Sequence, residues 1–285
     1  VTPEALRNAP GQNKMVWISA PRITKPPVLD GTLNLAEGEW ADAPAVCGML
    51  DPRPGLLLPL KAQTYISWDD ENFYLGMRTE IKPGGVLRRR GRLHDGQVNR
   101  DDVVEIFFNP LGRDQPEPAI FQIMYNALGY RWDAMQTVGV TAKYWNASTW
   151  EFASDYEIGM DHWDLEVKIP VRSMRMKGPN RPGDCWMFLA TRDWKYVIDD
   201  RGKTKWNIYA SVTGNGGFIS QENQFPLILD PSAPVVQLLE FDALCRGRFG
   251  PRARFANTTD RTQTFTALAR VYDNTGYRGR DKDWA

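Results

Sequence analysis

Residues 98–110, VNRDDVVEIFFNP, run from two adjacent acids into a strongly apolar segment that one carboxylate, Glu105, interrupts. If Val104, Ile106 and Phe108 point to one face of a β-strand, then Val103, Glu105 and Phe107 point to the other. Glu105 therefore shares a sheet face with apolar groups and lies half hidden from water. A carboxylate buried alone is expensive, so it needs a ligand, a water or an arginine. The acids of this chain offer two chemistries. A suitably separated pair can hydrolyse a glycoside. The DD pairs at 69–70, 101–102 and 199–200 can offer oxygen ligands to calcium, although turn acids of this kind also serve as solvated or capping groups. The imidazoles are limited to His94 and His162, in segments that read as loops, which makes them surface histidines rather than a catalytic pair. The sequence holds no G-x-S-x-G elbow, no H-E-x-x-H and no P-loop lysine. GNGGF (214–218) is glycine-rich, but no helical pattern follows to make it a phosphate cradle.

The elements that must position Glu105 read as strands. Eleven Trp, ten Tyr and twelve Phe favour extended structure. KAQTYISW and NFYLGMRT flank the turn DDEN as a hairpin. DVVEIFFN, AIFQIMYN, GYRWDAM, WEFASDYEIG, WDLEVKIP, CWMFLATR and FPLILD follow. The clearest is 163–169, where Trp163, Leu165, Val167 and Ile169 alternate with Asp164, Glu166 and Lys168, the pattern of a strand with one buried face. Pro170 ends it, and VRSMRM forms a single helical turn. No segment carries a long 3.6-residue period, so the expected architecture is all-β, an antiparallel, jelly-roll-like β-sandwich.

With Lys+Arg and Asp+Glu balanced at 35 each, a nucleic-acid binder is disfavoured. No apolar run approaches the roughly 20 residues of a membrane span. Residues 1–14 read as an N-terminal tail with no signal-peptide core, as expected if a signal has been removed or the record begins inside a longer chain. Cys47, Cys185 and Cys245 fit neither a disulfide framework nor a metal site. LILDPSAPV (227–235) marks a boundary. The first sandwich is expected over 15–230, and VVQLLEFDAL, GPRARFANTT and QTFTALARVYDN in 231–285 as the opening of a second, immunoglobulin-like β-domain, incomplete in this chain.

Five blocks in order over residues 27–230 resemble the family 9 carbohydrate-binding modules: PPVLDGTLNLAEGEWADAP, YISWDDENFYLGMR, RDDVVEIFFNP, FQIMYNALG and WDLEVKIPVRSM. The resemblance implies a non-catalytic module that binds a polysaccharide or oligosaccharide, works alongside further domains of the same polypeptide, and is extracellular or held at the cell surface. Structural calcium, held by the DD pairs, is a separate expectation. In the family, sugar lies between two tryptophans while Glu, Arg/Gln and Asn side chains bond its hydroxyls. Matched block by block, Glu105 falls on the strand glutamate, Gln122 on the polar position of the next strand, and Asn215 and Phe218 on the late loop with its Asn and second aromatic. The first tryptophan's position is held by Asn99. Alternation agrees: with Phe121, Ile123 and Tyr125 facing the core, Gln122, Met124 and Asn126 share the opposite face. A pyranose offers apolar C–H faces to aromatic rings and a rim of hydroxyls to polar side chains held on a rigid sheet. Two other readings fit the resemblance: an accessory domain of a glycoside hydrolase whose catalytic part lies outside this chain, and a haem-binding electron-transfer domain. The run LRRRGRLHDG (88–96) leads toward Asn99, and its guanidiniums suit uronic-acid or sulfated glycans.

Overall fold

The computed structural model describes residues 17–34, 38–51, 56–58, 60–111, 119–137, 140–143, 145–176, 178–195, 197–198, 204–205, 208–212, 218–219, 223–240 and 250–264. The chain is an all-β sandwich of two large mixed sheets. In the ten-stranded sheet, Arg131–Thr137, Ala119–Asn126, Val103–Leu111 and Cys185–Trp194 lie side by side, with Ile208–Ser211 beyond them. Phe225–Leu229 also pairs with Cys185–Trp194, and Ile18–Ala20 adds to it in parallel. The seven-stranded sheet runs Glu151–Asp155, His162–Pro170, Asn72–Glu80, Ala62–Trp68, Ala45–Cys47, Val235–Glu240 and Arg252–Ala256.

Period-two alternation places the core between the layers. Val104, Ile106, Phe108, Phe121, Ile123 and Phe188 of the first sheet meet Ile66, Trp68, Phe73, Leu75, Trp163 and Leu165 of the second. Phe73 bridges them directly, 5.1 Å from the Phe108 ring and 4.9 Å, edge-on, from Trp186. The DDEN hairpin forms as expected. Its Asp69 Oδ1 accepts the backbone N–H groups of Glu71 and Asn72 at 2.8 and 2.7 Å, and Tyr74 donates its hydroxyl to Oδ2 at 2.7 Å. Asp69 is thus a turn staple. VRSMRM gives the one-turn 3-10 helix Val171–Met174, ended by Arg175 in the left-handed region.

The 162–170 strand departs from expectation on its outer face. Trp163, Leu165, Val167 and Ile169 are fully buried, but so are the alternating acids Asp164 and Glu166. Residues 30–33 and Trp40 lie across them. Glu166 Oε2 accepts the backbone N–H groups of Asp30 and Gly31 at 3.0 and 2.8 Å, and its Oε1 accepts Trp40 Nε1–H at 2.8 Å. Asp164 accepts Leu33 N–H and a two-pronged ion pair from Arg78 at 2.8 and 2.6 Å. Burial pushes the Glu166 carboxyl up, and its three donors act in the opposite sense. Gly31 is required here: its φ is +91°, and a Cβ would lie 2.7 Å from the backbone carbon of Ser154. Gly31→Ala is therefore expected to cost about 2 kcal/mol or more, read as a lower denaturant midpoint at unchanged m-value.

The 230/231 boundary is crossed by sheet hydrogen bonds. Val235–Glu240 pairs in parallel with Ala45–Cys47 and antiparallel with Arg252–Ala256, so both strands extend the seven-stranded sheet. The expectation that these strands open a separate domain is thereby corrected for the described part. Two strands after a proline-rich turn satisfy their backbones most directly on an existing sheet edge. The tail 1–14 and most of QTFTALARVYDN lie outside the described residues.

Deep between the sheets, Arg192 is fully buried. Its guanidinium carbon lies 5.0 and 4.9 Å from the Trp163 and Trp194 rings, one ring from each sheet. Nη2 donates to Asp102 Oδ1 at 2.9 Å, Nε to Thr79 Oγ1 at 3.3 Å, and Nη1 to the carbonyls of Val103 and Asp193. Asp102 Oδ2 in turn accepts Arg88 N–H at 2.7 Å. Asp101 Oδ2 accepts the N–H groups of Arg90 and Gly91 and the side-chain amide of Asn126. The 101–102 acids thus fix the arginine loop onto the start of the Val103–Leu111 strand.

Candidate functional site

The outer face of the ten-stranded sheet carries Glu105 as alternation requires. Register places Glu105 between Met124 and Thr191, and Phe107 between Gln122 and Leu189. Met124 in turn pairs with Trp132, and Gln122 with Ala134. Glu105 is more deeply covered than the sequence suggests, at 8 % exposure, and Gln122 is at 6 %.

These polar groups form a chain across the face. Gln136 Nε2 donates to Gln122 Oε1, and Gln122 Nε2 donates to Glu105 Oε1, both closely. Thr191 Oγ1 donates to Glu105 Oε2 at 3.5 Å. Burial, followed by the negative Asp193, pushes the Glu105 carboxyl from 4.5 up to about 8, while Gln122, Thr191 and Lys195 pull it the other way. A carboxyl that holds its proton near neutrality both donates and accepts hydrogen bonds, a useful property opposite a hydroxyl.

The same shift sets a pH dependence. The folded state holds this proton more tightly than the unfolded chain, so the stability linked to it is fully present below about pH 4.5. It falls as pH rises toward about 8. Glu105→Gln is expected to flatten that slope and to be the more stable protein above pH 8, which denaturant unfolding across pH 4 to 9 measures.

Phe218 joins this face from its loop. Its ring sits 6.1 Å from Phe107 and 6.0 Å from Tyr209, edge-on to the latter, and its carbonyl accepts Gln224 Nε2–H at 3.1 Å. It is half-buried, resting on the sheet beside the Glu105 row. Asn99 is exposed on the one-turn 3-10 helix Val98–Arg100 that precedes the strand. Asn215 lies outside the described residues. The structure therefore brings Glu105, Gln122 and Phe218 to one face. Gln136, Thr191, Tyr209 and Trp132 share that face and escaped the sequence reading. Alternation within GYRWDAM and CWMFLATR puts Trp132 and Thr191 on one side of their strands, but only register shows that Thr191 pairs with Glu105 and that Trp132 lies one strand beyond Met124.

The remaining candidates have local partners. His94 is exposed, its Nδ1 accepting Arg131 N–H at 3.3 Å, and His162 Nδ1 lies 2.6 Å from Asp161. Among the described residues there is no cluster of three or more His, Cys, Asp or Glu side chains fit to hold a metal ion. The 199–200 acid pair lies outside them. No described helix is long and apolar enough to cross a membrane.

No protein-family model matches the sequence, and no match is found among curated proteins. Solved structures do match the fold. A proposed carbohydrate-binding protein from Bacteroides uniformis superposes with a TM-score of 0.55 at 15 % identity, over 75 % of this chain and 99 % of that one. A family 9 carbohydrate-binding module from Caldicellulosiruptor kristjanssonii in complex with glucose gives 0.50 at 14 % identity, over 76 % and 97 %. Its complex with cellotriose gives 0.50 at 14 %, over 76 % and 95 %. The fold is thus that of the family 9 carbohydrate-binding modules, as the sequence blocks implied.

Proposed function

We propose that this chain is a non-catalytic carbohydrate-binding module of a larger exported protein, with its saccharide site on the Glu105 face. The observation that carries this is the Gln136–Gln122–Glu105–Thr191 polar chain, laid on rigid strands and bracketed by aromatic rings. Trp132 stands two strands to one side of Glu105, and Phe218 rests on Phe107 and Tyr209. A pyranose stacks its C–H face on such rings while amide and carboxyl groups meet its hydroxyls. In this reading Trp132 supplies the aromatic surface that Asn99 does not. The glucose and cellotriose complexes of the structural neighbour support a neutral sugar as the first ligand to try.

Calorimetric titration with glucose and cellotriose tests the proposal. Binding is expected, and Gln122→Ala is expected to weaken it by roughly tenfold, the effect of leaving a ligand hydroxyl unpaired. Phe218→Ala is expected to cost about 1–2 kcal/mol of affinity with folding nearly intact. No binding to any member of a glycan array, or affinity unchanged in both variants, overturns the assignment. Export is tested separately, by locating the full-length protein in cell fractions.

A further inference from the structure

A second cleft, of about 630 Å³, opens at the edge of the sandwich. It is lined by Tyr125 of the ten-stranded sheet and Phe152 of the seven-stranded sheet, with Arg89, Arg131, Asp155 and Glu157 around them. Tyr125 faces the core side of its strand and Gln122 the other side, so a sheet separates this cleft from the Glu105 face. The Tyr125 and Phe152 rings are stacked at 4.3 Å and 18°. The Tyr125 hydroxyl is buried and has no hydrogen-bond partner among the described residues. An unpaired buried hydroxyl is costly and marks a place where something else completes the bond.

The charges around it are mixed. Arg89 lies 4.9 Å over the Tyr156 ring, and one of its nitrogens donates to the Tyr156 carbonyl at 3.4 Å. Arg131 is held by Asp133 at 3.0 Å and by Asn146 at 3.2 Å. Asp155, at the end of its edge strand, and Glu157, in the loop after it, also line the cleft. An anionic ligand meets these two carboxylates, and a cationic one meets two guanidiniums. A neutral, polyhydroxylated ligand suits both, since each hydroxyl donates to a carboxylate and accepts from a guanidinium. The arginine loop thus turns Arg89 toward a site of balanced charge.

We propose that this edge cleft is a second saccharide site, selective for neutral sugars, with the Tyr125 hydroxyl as one of its hydrogen-bonding groups. It goes beyond the first site and stands without it.

Residue-resolved amide NMR on the intact chain separates the two. Neutral cello-, xylo-, manno- and maltotriose, with trigalacturonate as the anionic comparison, are titrated in turn. The expected result is that at least one neutral trisaccharide shifts the Gly129, Phe152 and Asp155 signals with its own saturation curve. Trigalacturonate should bind there at least tenfold more weakly. Tyr125→Phe, which keeps the ring and its packing, is expected to weaken the cleft's curve about tenfold and to leave the curve at Glu105 and Gln122 unchanged. Shifts confined to Glu105 and Gln122 overturn the second site and leave the first. Shifts confined to the cleft do the reverse. Tighter binding of trigalacturonate, or a cleft curve indifferent to Tyr125→Phe, also overturns it.

Discussion

Replacing Arg192 with alanine is expected to destabilise the protein by about 3–5 kcal/mol, because it leaves the Asp102 carboxylate buried without its cation. The loss is larger than that of an ordinary core truncation of similar size. The guanidinium joins Trp163 to Trp194, bonds Thr79 across the interior, and supports two main-chain carbonyls. Burial itself pulls the guanidinium pKa down, and Asp102 opposes that pull. Asp102→Ala is expected to cost a similar amount and also to loosen Arg88, whose N–H bonds the same carboxylate. The informative variant is the double replacement Arg192→Met with Asp102→Leu. It removes both charges and is expected to recover much of the loss, since a well-packed apolar pair can match a buried ion pair. Denaturant unfolding of the three variants measures this. Additive losses in the double variant sink the interpretation that an orphaned charge is the cause.

The second large effect is expected on cutting the chain after Asp230. The missing strand would take with it Val235, fully buried, and Gln237, whose amide donates to the carbonyls of Trp40 and Ala43 at 2.9 and 2.7 Å. It would also remove the carbonyl of Leu239 that accepts Gln63 Nε2–H at 2.6 Å, and the bond from Arg254 to the carbonyl of Ala41. Trp40, Ala43 and Ala45 belong to a small apolar cluster with Leu33 and Tyr65, so the cut undermines that cluster from its edge. A loss of about 3–5 kcal/mol is expected, or a melting temperature lower by about 10 °C for a domain of this size. An unchanged melting temperature would show that residues 231–285 stand apart from the sandwich.

These two expectations also show where the sequence was readable. Alternation assigned the faces of residues 103–108 and 121–126 one by one, and with them the neighbourhood of Glu105 and Gln122. The 3-10 turn after Pro170 and the DDEN hairpin were equally legible, because each depends on neighbours in the chain. What failed depends on partners far away. Asp164 and Glu166 follow the spacing of a solvated face, and nothing local announces that residues 30–33 and Trp40 cover them. The strands at 235–240 and 252–256 were visible as strands, but the sheet they join is decided by an edge nearly 200 residues earlier. Trp132, Gln136 and Thr191 were invisible as site residues for the same reason: register, a non-local property, brings them to the Glu105 face. Asn99 was found by sequence matching and lies at the expected strand entrance, where it offers no ring.

The two acids that hold Asp30, Gly31, Leu33 and Trp40 carry a further consequence, for the order in which the molecule is made. Asp30 and Gly31 leave the ribosome some 135 residues ahead of the carboxylate that receives their N–H groups. Trp40 waits still longer for Gln237. Until Glu166 emerges, this early stretch has no place to settle, and its apolar residues stay available to chaperones or to neighbouring nascent chains. Closing contacts of such long span is slow, so maturation of this sandwich is expected to be timed by the strand that carries Glu166 and to wait on the one that carries Gln237.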